Sequence, residues 1–189
     1  MNILLIRHGM TEGNKKHRYI GITDEPLCPE GVEQLQKIRY LSRPDIVFAS
    51  PMIRCRQTAQ ILFPGRKIIC VPEFREMDFG IFENRCYQGD LELDPLYQQW
   101  VESRCEDPVP QGECKTSFTQ RCAEGFRQAM ALAGPQTWTA ALVVHGGTIM
   151  SILSMYAEGG GEYYSFQSSN GHGYAGVWNG NVIRDLQRI

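Results

Sequence analysis

The sequence predicts an α/β protein, a three-layer α/β/α sandwich with a mainly parallel sheet. Three observations carry this prediction. Short apolar runs alternate with stretches of helical periodicity along the chain, the pattern of strands joined by crossover helices. The first run, Asn2–Ile6, is apolar on both faces, as a central parallel strand requires. Three of the runs stop at polar groups: Arg7-His8-Gly9, Ser50 leading to Arg54, and His145-Gly146-Gly147. Carboxyl ends of parallel strands share one edge of the sheet, the edge at which open α/β sheets bind ligands.

Each element follows in order. Thr11–Asp24 is polar, with Lys15, Lys16, His17 and Arg18 clustered in it, and reads as a loop with a short helical turn. Val32, Leu35, Ile38 and Leu41 recur at every third position, the apolar stripe of a helix entered through Pro29 and Glu30 and ended by Pro44. Asp45–Ala49 is a strand. Ser50 is the expected N-cap of the next helix with Pro51 at its first position, and Ile53, Ala59, Ile61 and Leu62 are its expected buried side. Lys67–Val71 is a third strand. The aromatic and acidic segment that follows, up to Asp90, lacks periodicity and reads as a loop. Leu91–Arg104 carries Leu93, Leu96, Tyr97, Trp100 and Val101 at helical spacing. Ser117-x-x-Gln120 has the form of a capping box for a helix with Phe118, Cys122, Phe126 and Met130 along one face. Thr139–Val144 is a strand, Thr148–Tyr156 a helix, and Gly173–Trp178 with Val182–Leu186 a strand pair joined by the turn at Gly180.

The totals limit the function classes. A chain of 189 residues suits one domain, with a substrate-facing or lid segment expected around residues 79–115. With 42% hydrophobic and 21% charged residues it is globular, and a net charge of −2 gives no general affinity for nucleic acid. No run reaches the ~18 apolar residues of a membrane helix, and the opening MNILLIRHG lacks signal-peptide features, so a cytoplasmic protein is expected. The seven cysteines form no C-x-x-C pair and read as free thiols of a reducing compartment. A zinc site or disulfide at Cys105 and Cys114 is the other reading.

Arginines and histidines gathered at one sheet edge make an anion site, since guanidinium forks match phosphate oxygens. Taken singly the signals are weak. A lone histidine after a strand is commonly structural, and Arg54 alone reads as a solvated helix residue. The weight lies in the repeated placement, with only four histidines in the chain. Neither a dinucleotide fingerprint, a P-loop nor an H-E-x-x-H helix is present. Phosphate chemistry without those devices needs a protein nucleophile and cationic side chains.

Arg7-His8-Gly9 with Thr11 and Asn14 resembles the R-H-G-x-T-x-x-N signature of the histidine phosphatase superfamily, the phosphoglycerate mutase-like proteins. Further stretches agree in the family's order: Gly21, Asp24 to Leu27, Gly31 with Gln34, S-P-x-x-R-x-x-Q-T-A from Ser50 to Ala59, EFREMDFG from Glu73 to Gly80, Phe82-Glu83, and His145-Gly146. By that resemblance His8 is the nucleophile that becomes a phosphohistidine. Arg7, Arg54 and His145, with Asn14 and Gly146, bind the phosphoryl oxygens. Glu76 is the acid that protonates the leaving oxygen and then the base that activates water, with Asp78 and Glu83 as second choices and Glu73 a surface carboxylate. No cofactor and no metal are implied.

Tyr19-Ile20-Gly21, Thr23 to Leu27 and EMDFGIFEN are similar to the alpha-ribazole phosphatase branch. The resemblance implies a small-molecule phosphomonoester as partner, with Tyr19, Gly21, Thr23 and Glu83 toward the substrate. Its organic part is expected at Lys15 to Arg18, the 79–104 region, and Tyr163, Tyr164 and Phe166; core or lid packing is the plainer reading for Trp100 and the tyrosines. Asn170 and His172 border the pocket without a catalytic role. Met10 stands where a glutamate is common, and Glu12-Gly13 where many relatives have a bulkier residue; both flank the pocket. Broad-specificity and sugar phosphatases share these motifs. A mutase and a non-catalytic phospho-ligand binder are the remaining alternatives, and the chain is either a monomer or a homodimer.

Overall fold

The strand that opens the chain, β1 (Asn2–Arg7), lies inside a six-stranded sheet of order β3-β2-β4-β1-β5-β6. The computed structural model describes residues 1–40 and 43–189. After β1 come α1 (Glu12–Lys15), α2 (Pro29–Lys37), β2 (Ile46–Ala49), α3 (Ile53–Leu62) and β3 (Ile68–Cys70). The second half holds α4 (Pro95–Glu102), α5 (Lys115–Ala133), β4 (Thr139–Val144), α6 (Gly146–Tyr156), β5 (Gly173–Trp178) and β6 (Ile183–Arg188). Single 3-10 turns lie at Pro72–Phe74, Gly80–Phe82 and Tyr163–Phe166. β1, β2, β3 and β4 run parallel, β5 is antiparallel to β1, and β6 is antiparallel to β5.

Alternation along β1 divides the interior into two layers. Ile3 and Leu5 face a core built with Phe118, Phe126, Ile149, Ile152 and Leu153 of α5 and α6. Leu4 and Ile6 face a smaller one with Cys55, Ala59 and Phe63 on the α3 side. Burying both faces of the central strand is the reason its sequence is continuously apolar. The sandwich that the sequence predicts is therefore the observed architecture.

Register sets the active edge. Arg7 pairs with Val144 and Ala49 with Val143, so the residues that follow, His8, His145 and Ser50, leave the sheet side by side. Backbone bonds continue the ladder past the strands, from His8 N to Val144 O at 2.9 Å and from Ser50 N to Val143 O at 3.1 Å.

Element boundaries depart from expectation where side chains cap the backbone. α2 stops at Lys37 rather than running toward Pro44, because Ile38 turns extended and the Arg39 guanidinium donates to the carbonyls of Gln36 and Ile38; Leu41 lies outside the described residues. α3 begins at Ile53, not after Ser50. Asp24 Oδ1 accepts from Ile53 N at 2.7 Å, capping the helix from a distant loop, and Ser50 is left to bond elsewhere. The buried side of α3 is Arg54, Cys55, Thr58 and Ala59, while Ile53, Ile61 and Leu62 are only half-buried.

α4 starts at Pro95, since Asp94 Oδ1 accepts from Leu96 N and Tyr97 N. Only Trp100 of its expected apolar stripe is fully buried, and Leu93 is 84% exposed. α5 is capped by Cys114 Sγ, which accepts from Ser117 N, so Ser117 sits within the helix and heads no capping box. The expected buried face of α5 at Phe118, Cys122, Phe126 and Met130 is present. α6 starts two residues earlier than expected, with His145 as its N-cap. All seven cysteines are free thiols, Cys105 and Cys114 included.

Candidate active site

His8 occupies the first position beyond β1 and is 4% exposed. Its Nδ1 lies 2.7 Å from Gly9 O, so Nδ1 carries the proton and donates, and Nε2 keeps its lone pair. Two bonds hold the turn behind it. Gly9 N donates to Thr58 Oγ1 at 2.9 Å, and Asn170 Nδ2 donates to His8 O at 3.0 Å. Burial, and then the charges of Arg54 and Arg7, push the His8 pKa well below its ordinary value. The imidazole is therefore neutral.

His145 stands beside it, edge to face, with ring centroids 5.2 Å apart. His145 Nε2 and Ser50 Oγ are 2.8 Å apart, which is the task that takes Ser50 away from capping α3. Burial, followed by the positive field of Arg54, also pushes the His145 pKa well down. Cys55 Sγ lies 3.5 Å from the same ring nitrogen, but burial pushes its thiol up, away from thiolate chemistry.

Two guanidinium groups complete the basic side. Arg7 donates from one terminal nitrogen to Ser168 O at 2.7 Å. Arg54, fully buried at the second position of α3, donates to the carbonyls of Thr23 at 2.7 Å, Gly21 at 2.9 Å and Ile20 at 3.3 Å. The Nε of each arginine is buried and has no hydrogen-bond partner among the described residues. A buried unpaired donor costs roughly 1–3 kcal/mol, more when charged, so two of them, on arginines whose charges both act on His8, call for an acceptor.

Glu76 brings a buried carboxyl to the same cavity as Arg7 and His8. Its Oε1 accepts from Met77 N at 2.9 Å and its Oε2 from Gly147 N at 3.0 Å, in the first turn of α6. Burial raises its pKa above the ordinary carboxylate value, against the backbone bonds from Met77 and Gly147 and the attraction of Arg54 and Arg7. Asp78 caps its own turn, its Oδ1 accepting from Gly80 N at 2.9 Å.

Arg7, His8, Asn14, Glu76, Gly146 and Asn170 border a cavity of about 380 Å³. Its outer wall is aromatic, with Tyr19, Phe79, Tyr87, Trp100, Tyr163 and Tyr164, and Arg18 and Lys115 stand among these rings. Phe166 belongs to the core, and His172 is exposed, bonded to Ile189 O. Lys15 bonds Glu30 and Glu12 at the surface. Of the residues expected to meet substrate, Tyr19 borders the cavity. Gly21, Thr23 and Glu83 do not line it and instead brace Arg54. Glu83 Oε1 accepts from Gly21 N at 2.9 Å and Thr23 N at 2.8 Å, while the carbonyls of Gly21 and Thr23 face the guanidinium.

Sequence reasoning passed over Ser50 as a partner of His145, Thr58 as an anchor of Gly9, and Asp24 as the cap of α3. A signal existed: Arg54 and Thr58 lie four apart on a helix, hence on one face, and polar residues recurring on a face that should be apolar mark a polar contact inside. Glu12, Cys28 and Glu30 place ligand-type atoms within 4.8 Å of one another, but the Lys15 ammonium already bonds both carboxylates there.

The family profile of the histidine phosphatase superfamily (branch 1) matches residues 3–178. The chain belongs to the histidine phosphatase superfamily. Among relatives in this superfamily, it is 30% identical over 163 residues to the probable phosphoglycerate mutase GpmB of Serratia proteamaculans (strain 568), covering 82% of this chain and 74% of that one. It is also 30% identical over 159 residues to the adenosylcobalamin/alpha-ribazole phosphatase of Escherichia coli (strain K12), covering 81% and 77%. Among solved histidine phosphatase folds, the alpha-ribazole phosphatase from Shigella flexneri superposes with a TM-score of 0.83 at 25% identity, over 100% of this chain and 96% of the other. The phosphoglycerate mutase from Thermus thermophilus gives 0.74 at 29% identity, over 100% and 98%.

Proposed function

We propose that this protein is a metal-independent phosphomonoester hydrolase that works through a phosphohistidine at His8, with alpha-ribazole 5′-phosphate as its main substrate. The observation that carries the reading is the pair of buried, unpartnered guanidinium Nε atoms, on arginines whose charges act on an imidazole whose Nδ1 is already bonded. A phosphoryl group supplies the acceptors those donors lack, and Nε2 of His8 is the basic nitrogen that faces it.

In the first step the Nε2 lone pair forms a bond to phosphorus and the P–O ester bond breaks. The departing oxygen takes the proton that Glu76 carries. In the second step the Glu76 carboxylate takes a proton from water, the water oxygen bonds phosphorus, and the N–P bond breaks to return the lone pair to His8. Arg7, Arg54 and His145, with Asn14 and the Gly146 backbone, hold the phosphoryl oxygens throughout. Stabilisation of charge on those oxygens and positioning of the reacting groups supply the catalysis. A pKa raised by burial lets Glu76 hold a proton for the first step.

The aromatic cavity wall favours a leaving group with an aromatic base, and it supports alpha-ribazole phosphate over a small glycerate. Likeness to the two alpha-ribazole phosphatases points the same way. The second reading, a phosphoglycerate mutase, draws on the relatives of that name. A screen in EDTA separates them, using alpha-ribazole phosphate, sugar phosphates, and 3-phosphoglycerate with 2,3-bisphosphoglycerate. The expected result is phosphate release, fastest from alpha-ribazole phosphate. Isomerisation of phosphoglycerate without phosphate release, or activity only after a divalent metal is added, overturns the proposal.

A further inference from the structure

We infer that Arg121, paired with Glu113, is a positioning residue that aims the Glu76 carboxyl at the leaving oxygen. The inference rests on the role just proposed for Glu76. Arg121 lies in α5, outside the cavity, yet its guanidinium donates to three carbonyls of the segment that carries Glu76 and to the Glu113 carboxylate. One terminal nitrogen donates to Glu73 O at 2.7 Å and Arg75 O at 3.0 Å, and the other reaches Glu76 O at 3.5 Å. The remaining hydrogens form a two-point pair with Glu113, from Nε at 3.0 Å and from the second terminal nitrogen at 2.7 Å.

Glu113 extends the grip to the far side of Glu76. Its backbone N donates to Asp78 O at 2.9 Å, and its Oε2 lies 3.5 Å from Asp78 N. The Phe118 ring lies under the guanidinium at 5.2 Å. Residues 73 to 78 have no regular element of their own beyond the 3-10 turn ending at Phe74, so α5 supplies the rigidity they lack. α5 also packs on α6, whose Gly147 N holds the other carboxylate oxygen. One helix thus fixes both the backbone of the acid and the donor that its carboxylate meets. Arginine suits the work because only its planar fork reaches three carbonyls and a carboxylate together.

The roles of acid and nucleophile separate with the choice of leaving group. p-Nitrophenolate departs without a proton, whereas an alkyl oxygen does not. The test compares first-turnover release of p-nitrophenol from p-nitrophenyl phosphate with first-turnover release of the alcohol from an alkyl phosphate. First turnovers are used because Glu76 also serves the later water step. In Arg121→Met, alcohol release falls about 10- to 100-fold, since misplacing a proton donor by about 1 Å costs that much. The p-nitrophenol burst stays within about twofold of wild type, as a pocket built by other residues requires. Arg121→Lys recovers part of the loss by keeping charge and a carbonyl bond. Glu113→Gln, which retains the arginine, shows the same pattern more weakly and serves if Arg121→Met does not fold. Equal losses on both substrates, or no loss on either, overturn the inference. Failure of the wild-type protein to hydrolyse any phosphomonoester instead overturns the proposed function.

Discussion

His8 and His145 show how residue chemistry is set by place. Both are buried among positive charge, and both are held neutral well below the ordinary histidine pKa of about 6.5. For His8, under the proposed mechanism, that keeps the Nε2 lone pair available in acid. The same shift has a stability consequence of definite sign. The unfolded chain binds more protons than the folded one below about pH 6.5, so the folded state loses stability as pH falls from there toward the depressed values. The check is nitrogen-15 NMR of the imidazoles across pH 7.5 to 5. His8 is expected to remain the neutral Nδ1–H tautomer through pH 6, and a doubly protonated ring titrating near 6.5 would refute its assignment as a neutral nucleophile.

Among the elements, the first turn of α6 packs directly against the Glu76 carboxylate. A Cβ at Gly147 would stand 2.3 Å from Glu76 Oε1 and 3.0 Å from Phe118 Cε1. Gly147→Ala must therefore push the carboxylate out of line, and kcat on an alkyl phosphate is expected to fall about 10- to 100-fold with the fold retained; a variant with wild-type kcat would show that Glu76 needs no such alignment. This glycine was legible only as a residue after a strand, because its reason lies in Glu76, far away in sequence. The same holds for the helix starts. Ser50 looks like a cap, but the imidazole of His145 claims it, and Asp24 does the capping from across the fold. The stripe of α4 misleads for another reason: Leu93, Leu96 and Val101 are exposed and Trp100 alone is fully buried, so apolar periodicity there reflects a short helix at the cavity wall and not a core helix.

At the scale of the molecule, the sheet was readable because its signals are local. Continuous apolar runs place β1 and β4 at the centre, and polar residues at their ends follow from parallel pairing, which brings His8, Ser50 and His145 to one edge. The strand-end pattern pointed to Arg54, but its full burial was not legible, since a buried arginine is invisible to a hydrophobicity argument until the carbonyls of Ile20, Gly21 and Thr23 are in view. Loop 20–24, α3 and the Glu83 turn form one brace around that guanidinium, which under the proposed function holds a cation for the phosphoryl group at His8. The direct measurement is phosphorus NMR with peptide mapping of the enzyme quenched in base during turnover. The expected result is one phosphoryl group on Nε2 of His8, absent in His8→Ala. A phosphoryl group on Nδ1 or on another residue, or turnover that survives His8→Ala, would contradict it.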